Sequence, residues 1–202
     1  MNDRLNSFLD HMGLELRRLD EDHFVDYFDC GRDQNMNSWF HETAMKWQSE
    51  DMCTVWVLSE SRTASDCLGF FTLSSHQIIP GNVHKKLRAS NPENKAWVNN
   101  LKNPLPAQLL GKFALDAQHQ GTGLGEILMT CVYYKFVEVA QTAGAKFLVL
   151  DVQEPNLVDY YKQKFGFERS ALAREIAQMY RPTSVIRQEL LQLGLIKNDH
   201  GG

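Results

Sequence analysis

Read as alternating apolar and polar positions, the chain divides into short strands and a few helices. "LELRRL" (14 to 19) alternates and predicts a half-buried first strand. The acidic start of "DEDHFVDYF" and the mostly helical spacing of Met36, Trp39, Phe40, Thr43, Met45 and Trp47 predict two helices after it. "MCTVWVLSE" (52 to 60) and "CLGFFTLSSHQII" (67 to 79) are rich in β-formers and flank the polar "SRTASD", the pattern of a hairpin. From Pro80 to Leu105 the chain is polar and broken by prolines, which predicts a surface excursion or short helices.

"PAQLLGKFALD" (106 to 116) predicts the next strand, and a helix is expected from about Thr122 to Ala143. The continuous apolar run "AKFLVLDV" (145 to 152) predicts a strand buried on both faces and parallel to the one before the helix, in a right-handed strand–helix–strand unit. "NLVDYYKQKF" predicts a short helix, "GFERS" and "IAQMYRP" further strands, and "TSVIRQELLQLGLIKNDHGG" a carboxyl-terminal helix with a frayed tail. The result is an α/β (α+β) chain with a mixed twisted sheet of six to seven strands flanked by helices. With 202 residues, 43% of them hydrophobic, one domain over 1–202 is expected, and residues 183–198 form a candidate helical extension.

Composition narrows the function classes. No apolar run is long enough to cross a bilayer, and "MNDRLNSFLDHMG" lacks a secretory pattern, so a cytoplasmic protein without membrane contact is expected. The four cysteines are widely spaced and the histidines form no ligand pattern; no metal is assigned, and most cysteines read as small buried hydrophobes. A net charge of -4 gives no global reason to bind nucleic acid, although "HKKLR" (84 to 88), Lys102, Lys112, "KQK" (162 to 164), Arg174, Arg181 and Arg187 can compose a local basic patch.

The candidate chemistry lies in "QGTGLG" (120 to 125), between a predicted strand and a predicted helix. A helix amino end carries unpaired N–H groups and partial positive charge, and glycines let backbone approach a phosphate closely. A diphosphate can lie across the amides from about Gly121 to Glu126; a tight, closely packed turn is the other reading. The loop is not a P-loop, because Glu126 and Ile127 follow Gly125 in place of Lys-Ser/Thr. The spacing also departs from a dinucleotide fingerprint.

With Gln120, Gly123 and Gly125 matching Q/R-x-x-G-x-G/A, the chain resembles the GNAT superfamily of N-acetyltransferases, and "NLVDYYKQKFGFE" resembles its asparagine, helical tyrosine and closing "GF". The resemblance implies the GNAT fold and acetyl-CoA as cosubstrate. It implies that Gln120, Gly121, Thr122, Gly123, Leu124, Gly125 and Glu126 cradle the diphosphate, and that the backbone of Phe113, Ala114 and Leu115 binds the pantetheine arm. It also implies that a helical tyrosine protonates the leaving thiolate. Tyr161 precedes Gly166 by five residues where the family pattern has four, so Tyr161 and Tyr160 both stand as candidates. Asn156 orients the acceptor or the pantetheine, or else caps the helix beginning at Leu157.

"FDCGRDQNMNSWF", "CLGFFTLS" and "PLPAQLLGKFALD" are similar to the subgroup of these enzymes that act as toxins of toxin–antitoxin pairs. That narrower likeness implies acetylation of the amino group of aminoacyl-tRNA and neutralisation by a ribbon-helix-helix antitoxin. The alternatives are an N-acetyltransferase of a small or protein amine and a noncatalytic acyl-CoA-binding module. The apolar stripe of "VIRQELLQLGLI" suggests a homodimer or packing within one chain.

Overall fold

A computed structural model describes residues 2–31, 33–63, 65–79, 83, 103–171 and 176–197, with side chains from residue 4 onward. Among these residues seven strands form one mixed sheet. They are β1 (Leu14–Arg18), β2 (Thr54–Glu60), β3 (Gly69–Ile78), β4 (Leu105–Leu115), β5 (Phe147–Val152), β6 (Glu168–Arg169) and β7 (Ala177–Pro182), in the order β1-β2-β3-β4-β5-β7-β6. Every neighbouring pair is antiparallel except β4 and β5, which run parallel, as the continuous apolar run of β5 predicted.

The helices are α1 (Asn2–Asp10), α2 (Gln34–Glu42), α3 (Ala44–Ser49), α4 (Leu124–Ala143), α5 (Pro155–Phe165) and α6 (Thr183–Gln192). Period-two alternation sorts the sheet's side chains between two cores. Val55, Val57, Phe70 and Ala114 pack with Phe28, Phe40 and Ala44 from the region of α2 and α3. Their strand neighbours Leu58 and Phe71 pack instead with α4, with Leu5 and Leu9 of α1, and with Ile186 and Leu190 of α6.

Several expected elements are corrected. The helix expected from "DEDHFVDYF" is only a 3₁₀ turn over Val25–Tyr27. The second expected helix starts at an Asp33 cap, whose side chain accepts from the Met36 N–H, and breaks at Thr43 into α2 and α3. Helix α1 was not anticipated, although Leu5 and Leu9 show helical spacing and are buried. The hairpin strands and the long helix fall where the pattern put them. Most of the stretch from Pro80 to Leu105, including "HKKLR", lies outside the described residues.

The carboxyl-terminal helix is part of the main core. Ile186 and Leu190 are fully buried, and Leu195 and Ile196 just beyond it are at most 9% exposed. Its apolar stripe is therefore largely covered by its own chain, which removes the reason the sequence offered for a homodimer.

Candidate coenzyme and acyl-transfer site

The two halves of the sheet part at β4. Strands β4 and β5 pair only from Ala107 to Leu109 against Phe147 to Val149. From Leu110 to Leu115 β4 remains bonded to β3, while β5 continues along β7. A bulge drives the divergence: between the pairs Leu73↔Leu110 and Phe71↔Phe113, Thr72 alone opposes both Gly111 and Lys112. The extra residue bends β4 and adds local twist. The Thr72 hydroxyl accepts the displaced Lys112 N–H at 2.9 Å, and a Cβ on Gly111 would come within 3.1 Å of that oxygen. The strand edge carrying Phe113 and Ala114 thus has no β5 partner, a ladder free to bind the amides of an extended ligand.

The glycine loop stands at the mouth of this split. Gly121 and Gly123 have φ of 77° and 91°, a left-handed conformation that disfavours any side chain even though nothing crowds either position. Gly123 is the N-cap of α4 and has no side-chain capping bond; the Glu126 N–H turns back to the Gly123 carbonyl at 3.2 Å, which leaves the N–H groups of Leu124 and Gly125 for a ligand. At Gly125 a Cβ would make only ordinary contacts, with Leu115 at 3.5 Å and the Tyr160 hydroxyl at 3.9 Å, so neither space nor backbone conformation requires glycine there.

Three side chains fasten the loop. Asp116 is buried; one carboxylate oxygen accepts from the Gln118 N–H at 2.9 Å and the other from the Asp29 N–H at 3.1 Å. The Ala117 N–H returns a bond to the Asp29 carbonyl at 2.8 Å. The Gln120 amide donates to the carbonyls of Cys30 and Leu115 at 3.0 and 3.2 Å. Its side chain therefore ties the Asp29–Gly31 turn to the end of β4, a tethering role that the motif alone does not disclose, and the carbonyl of Leu115 is already engaged. The Thr122 hydroxyl donates to the His119 carbonyl at 2.7 Å.

Helix α5 closes the other side. Pro155 occupies its first turn and Glu154 its N-cap position, so Asn156 is inside the helix, exposed, and does not cap it. At the far end Gly166 has φ of 65°, and the N–H groups of Gly166 and Phe167 return to the carbonyls of Lys162 and Tyr161, a Schellman ending. The Tyr133 hydroxyl of α4 donates to the Phe165 carbonyl at 3.1 Å. Lys164 pairs with Glu126 in the first turn of α4; its ammonium holds the Glu126 carboxyl below its ordinary value, and the carboxylate raises Lys164 in turn.

The adjacent tyrosines diverge. Tyr160 is 43% exposed, with its hydroxyl toward the glycine loop; burial first, then the Glu126 charge, raises its pKa. Tyr161 packs against the main core with its ring 6.0 Å from both Phe165 and Phe167, and Phe165 reaches Phe113 of β4 at 6.3 Å. Burial pushes the Tyr161 phenol well above its usual value. Of the anticipated basic residues, Arg181 is withdrawn from any surface patch: it is buried, donates to Glu189 at 2.5 Å and lies over the Tyr133 ring. Lys112 stacks 5.4 Å from the Trp39 ring centre.

No protein-family model matches the chain. A stretch of 125 residues, 62% of the chain, is 25% identical to a probable toxin TacT of Sinorhizobium fredii (strain NBRC 101917 / NGR234), and spans 64% of that relative's length. Among solved structures, AtaT complexed with acetyl-methionyl-tRNAfMet superposes with a TM-score of 0.72 at 20% identity, covering 88% of this chain and 99% of that one. A tyrosine-to-phenylalanine variant of the AtaT toxin, bound to the carboxyl terminus of the antitoxin AtaR and acetyl-CoA, superposes at 0.70 with 17% identity, covering 88% and 98%. The fold is therefore the one these toxins share, a seven-stranded mixed sheet flanked by helices, and it is the GNAT fold that the motifs implied. Among the described residues no helix is long and apolar enough to cross a membrane.

Proposed function

We propose that this chain is a cytoplasmic, acetyl-CoA-dependent N-acetyltransferase of the GNAT toxin type that acetylates the α-amino group of aminoacyl-tRNA and so blocks translation. One observation carries the coenzyme half of this reading. The bulge at Gly111 and Lys112 opens an unpaired strand edge that leads straight into an uncapped, glycine-lined helix amino end, so an extended amide arm and a diphosphate find their partners in one continuous groove. The residues fit the coenzyme: Phe113 and Ala114 offer backbone to the pantetheine, and Gly121 through Gly125 offer N–H groups to the diphosphate, the Glu126 N–H being bonded to the Gly123 carbonyl at 3.2 Å. The acceptor half draws on the likeness to AtaT bound to acetyl-methionyl-tRNAfMet and to TacT. A ribbon-helix-helix antitoxin is the corresponding partner, in line with the AtaR complex.

The bound thioester supplies the acyl group; the protein places it and handles charge. The acceptor nitrogen bonds to the thioester carbonyl carbon, the carbon–sulfur bond breaks, the amine loses one proton and the departing sulfur gains one. An α-amino group, with a pKa near about 7.7 to 8.0, is partly neutral without help, so no dedicated carboxylate base is required. We assign the proton donor to Tyr161. Both rings touch Phe165, but Tyr161 packs on into the main core against Phe167, whereas Tyr160 carries its hydroxyl to the diphosphate loop. Burial keeps the Tyr161 phenol protonated, as a donor to a forming thiolate must be. Asn156, exposed at the start of α5, is free to meet the acceptor.

The test is to incubate charged tRNA with radiolabelled acetyl-CoA and the protein. Label should appear on the aminoacyl amino group and follow the amino acid on deacylation. Label on free amines or lysine side chains but not on aminoacyl-tRNA would replace this reading with a small-molecule or protein N-acetyltransferase. Binding of acetyl-CoA with no transfer to any amine would leave a noncatalytic module.

A further inference from the structure

The glycine loop is steadied from outside. Gly121 and Gly123 have no neighbouring atom within 4 Å of the place a Cβ would take, so no packing holds them in their left-handed conformation. Glycines have the most conformational freedom to lose on ordering, so affinity for the coenzyme depends on how firmly the stretch leading into them is fixed. That stretch, Asp116 to Gln120, is bonded to the turn from Asp29 to Gly31. Every backbone N–H and carbonyl of the turn is engaged. On the loop side, the Asp29 N–H donates to Asp116 at 3.1 Å, the Asp29 carbonyl accepts from Ala117 at 2.8 Å, and the Cys30 carbonyl accepts from Gln120 at 3.0 Å. On the other side, the Gly31 N–H donates to the Asp29 carboxylate at 2.8 Å, the Gly31 carbonyl accepts from the Gln34 amide at 2.9 Å, and the Cys30 N–H donates to Oδ1 of Asn37 at 2.9 Å.

Asn37 binds the turn twice. It lies in α2 and is 5% exposed, and its Nδ2 donates to the Asp29 carboxylate at 2.7 Å while its Oδ1 receives the Cys30 N–H. Only an amide does both: the backbone N–H needs an acceptor and the carboxylate needs a donor, which also fixes which way the amide faces. The Gly31 N–H, and after it the Asn37 amide, hold the Asp29 carboxyl below its ordinary value, so it stays an acceptor for both. Helix α2 is itself firmly placed. Phe40, three residues beyond Asn37, is 1% exposed and stacks on Phe70 of β3 with the ring centres 3.9 Å apart. An unbroken set of hydrogen bonds therefore runs from a core-packed helix, through the turn, to the residue before Gly121.

We propose that Asn37 is a positioning residue for coenzyme binding: acting through the Asp29–Gly31 turn, it fixes the stretch from Asp116 to Gln120 and with it the amides offered to the diphosphate. The inference rests on the coenzyme reading of the groove and adds to it a residue that touches neither coenzyme nor acceptor. A binding loop supported in this way by a rigid element loses less freedom when the ligand arrives, and the gain appears as affinity.

Calorimetric titration of coenzyme A into the full chain tests this. The wild type is expected to bind, and Asn37→Ala to raise the Kd about tenfold, because it strips the Cys30 N–H and the Asp29 carboxylate of their shared partner. With acetyl-CoA in a turnover assay, N37A should raise KM by a similar factor and keep kcat within about threefold. Val55→Ala is the control for simple loosening: Val55 is fully buried in the same core as Phe40 and Phe70, so V55A should lower thermal stability yet leave the Kd within about twofold. Wild-type binding with unchanged affinity in N37A overturns this inference alone, and so does a loss in V55A as large as that in N37A. A wild type that does not bind coenzyme A overturns the coenzyme reading and this inference with it. If N37A does not fold, hydrogen exchange in the wild type decides: saturating coenzyme A should slow exchange at the Cys30 and Gly31 amides, and unchanged rates there refute the linkage.

Discussion

At the residue scale the roles proposed for the adjacent tyrosines follow from which way α5 turns them. Gly166 ends the helix, and Tyr161 lies five residues before it. At about 100° per residue, this is a quarter turn or so away from a tyrosine four residues before, enough to move a ring from the helix flank toward the core. Tyr161→Phe should therefore lower kcat on the order of 100-fold, the contribution of a positioned proton donor, with KM for acetyl-CoA little changed. Tyr160→Phe should leave kcat within about threefold. Single-turnover measurements of the two variants check this, and the reverse ranking would transfer the role to Tyr160.

The same residue sets the expected pH dependence. A phenol whose folded pKa is raised holds its proton as pH climbs, so Tyr161 is in its donating form throughout the neutral and mildly alkaline range. The rate should rise with pH as the acceptor amine is deprotonated, with a midpoint near about 7.7 to 8.0, and should show no fall below about pH 10. A bell-shaped profile with an alkaline limb between pH 8 and 9 would indicate a different acid.

At the scale of elements, the groove depends on two backbone departures, the β4 bulge and the glycine loop. Gly123→Ala forces a Cβ onto a φ of 91°. Expected are a stability loss of about 1 to 2 kcal/mol in urea unfolding and a raised KM for acetyl-CoA, with kcat largely kept because the tyrosine is on another helix. The turn of the loop from strand to helix was legible in the sequence, since a strand, three glycines and an amphipathic helix occur in order. The bulge was less so. Gly111 within "PAQLLGKFALD" was read as part of a plain strand, although a glycine inside a strand pattern is itself a mark of a bulge. Asn156 illustrates a local misreading: an asparagine before an apolar run suggests a cap, but Pro155 ahead of it starts the helix one residue sooner.

Over the whole molecule, the carboxyl-terminal helix is a structural member of the core. Removing everything after Pro182 would uncover the sites of Ile186, Leu190, Leu195 and Ile196, all of which are buried. At about 1.5 to 3 kcal/mol for each large apolar side chain, the loss rivals the roughly 5 to 15 kcal/mol by which a domain is stable. The truncated chain should lack a cooperative thermal transition by circular dichroism. A soluble, cooperatively folding product would instead make this helix an appendage. We infer from the same packing that the chain works as one domain, α6 included.

Sequence alone determined the elements whose signal is local and the motifs whose chemistry is carried by backbone. These are the alternating strands, the long helix, the fully apolar β5, and the glycine loop whose N–H groups need only the absence of side chains. Tertiary structure decided whatever depends on direction and partnership. It turned Tyr161 inward and Tyr160 toward the loop, gave the Gln120 side chain to the Cys30 and Leu115 carbonyls, and took Arg181 out of the surface charge by pairing it with Glu189. Periodicity reports which face of an element is apolar. It does not report which distant residue will come to lie against that face, because that follows from how the sheet bends and where the helices dock.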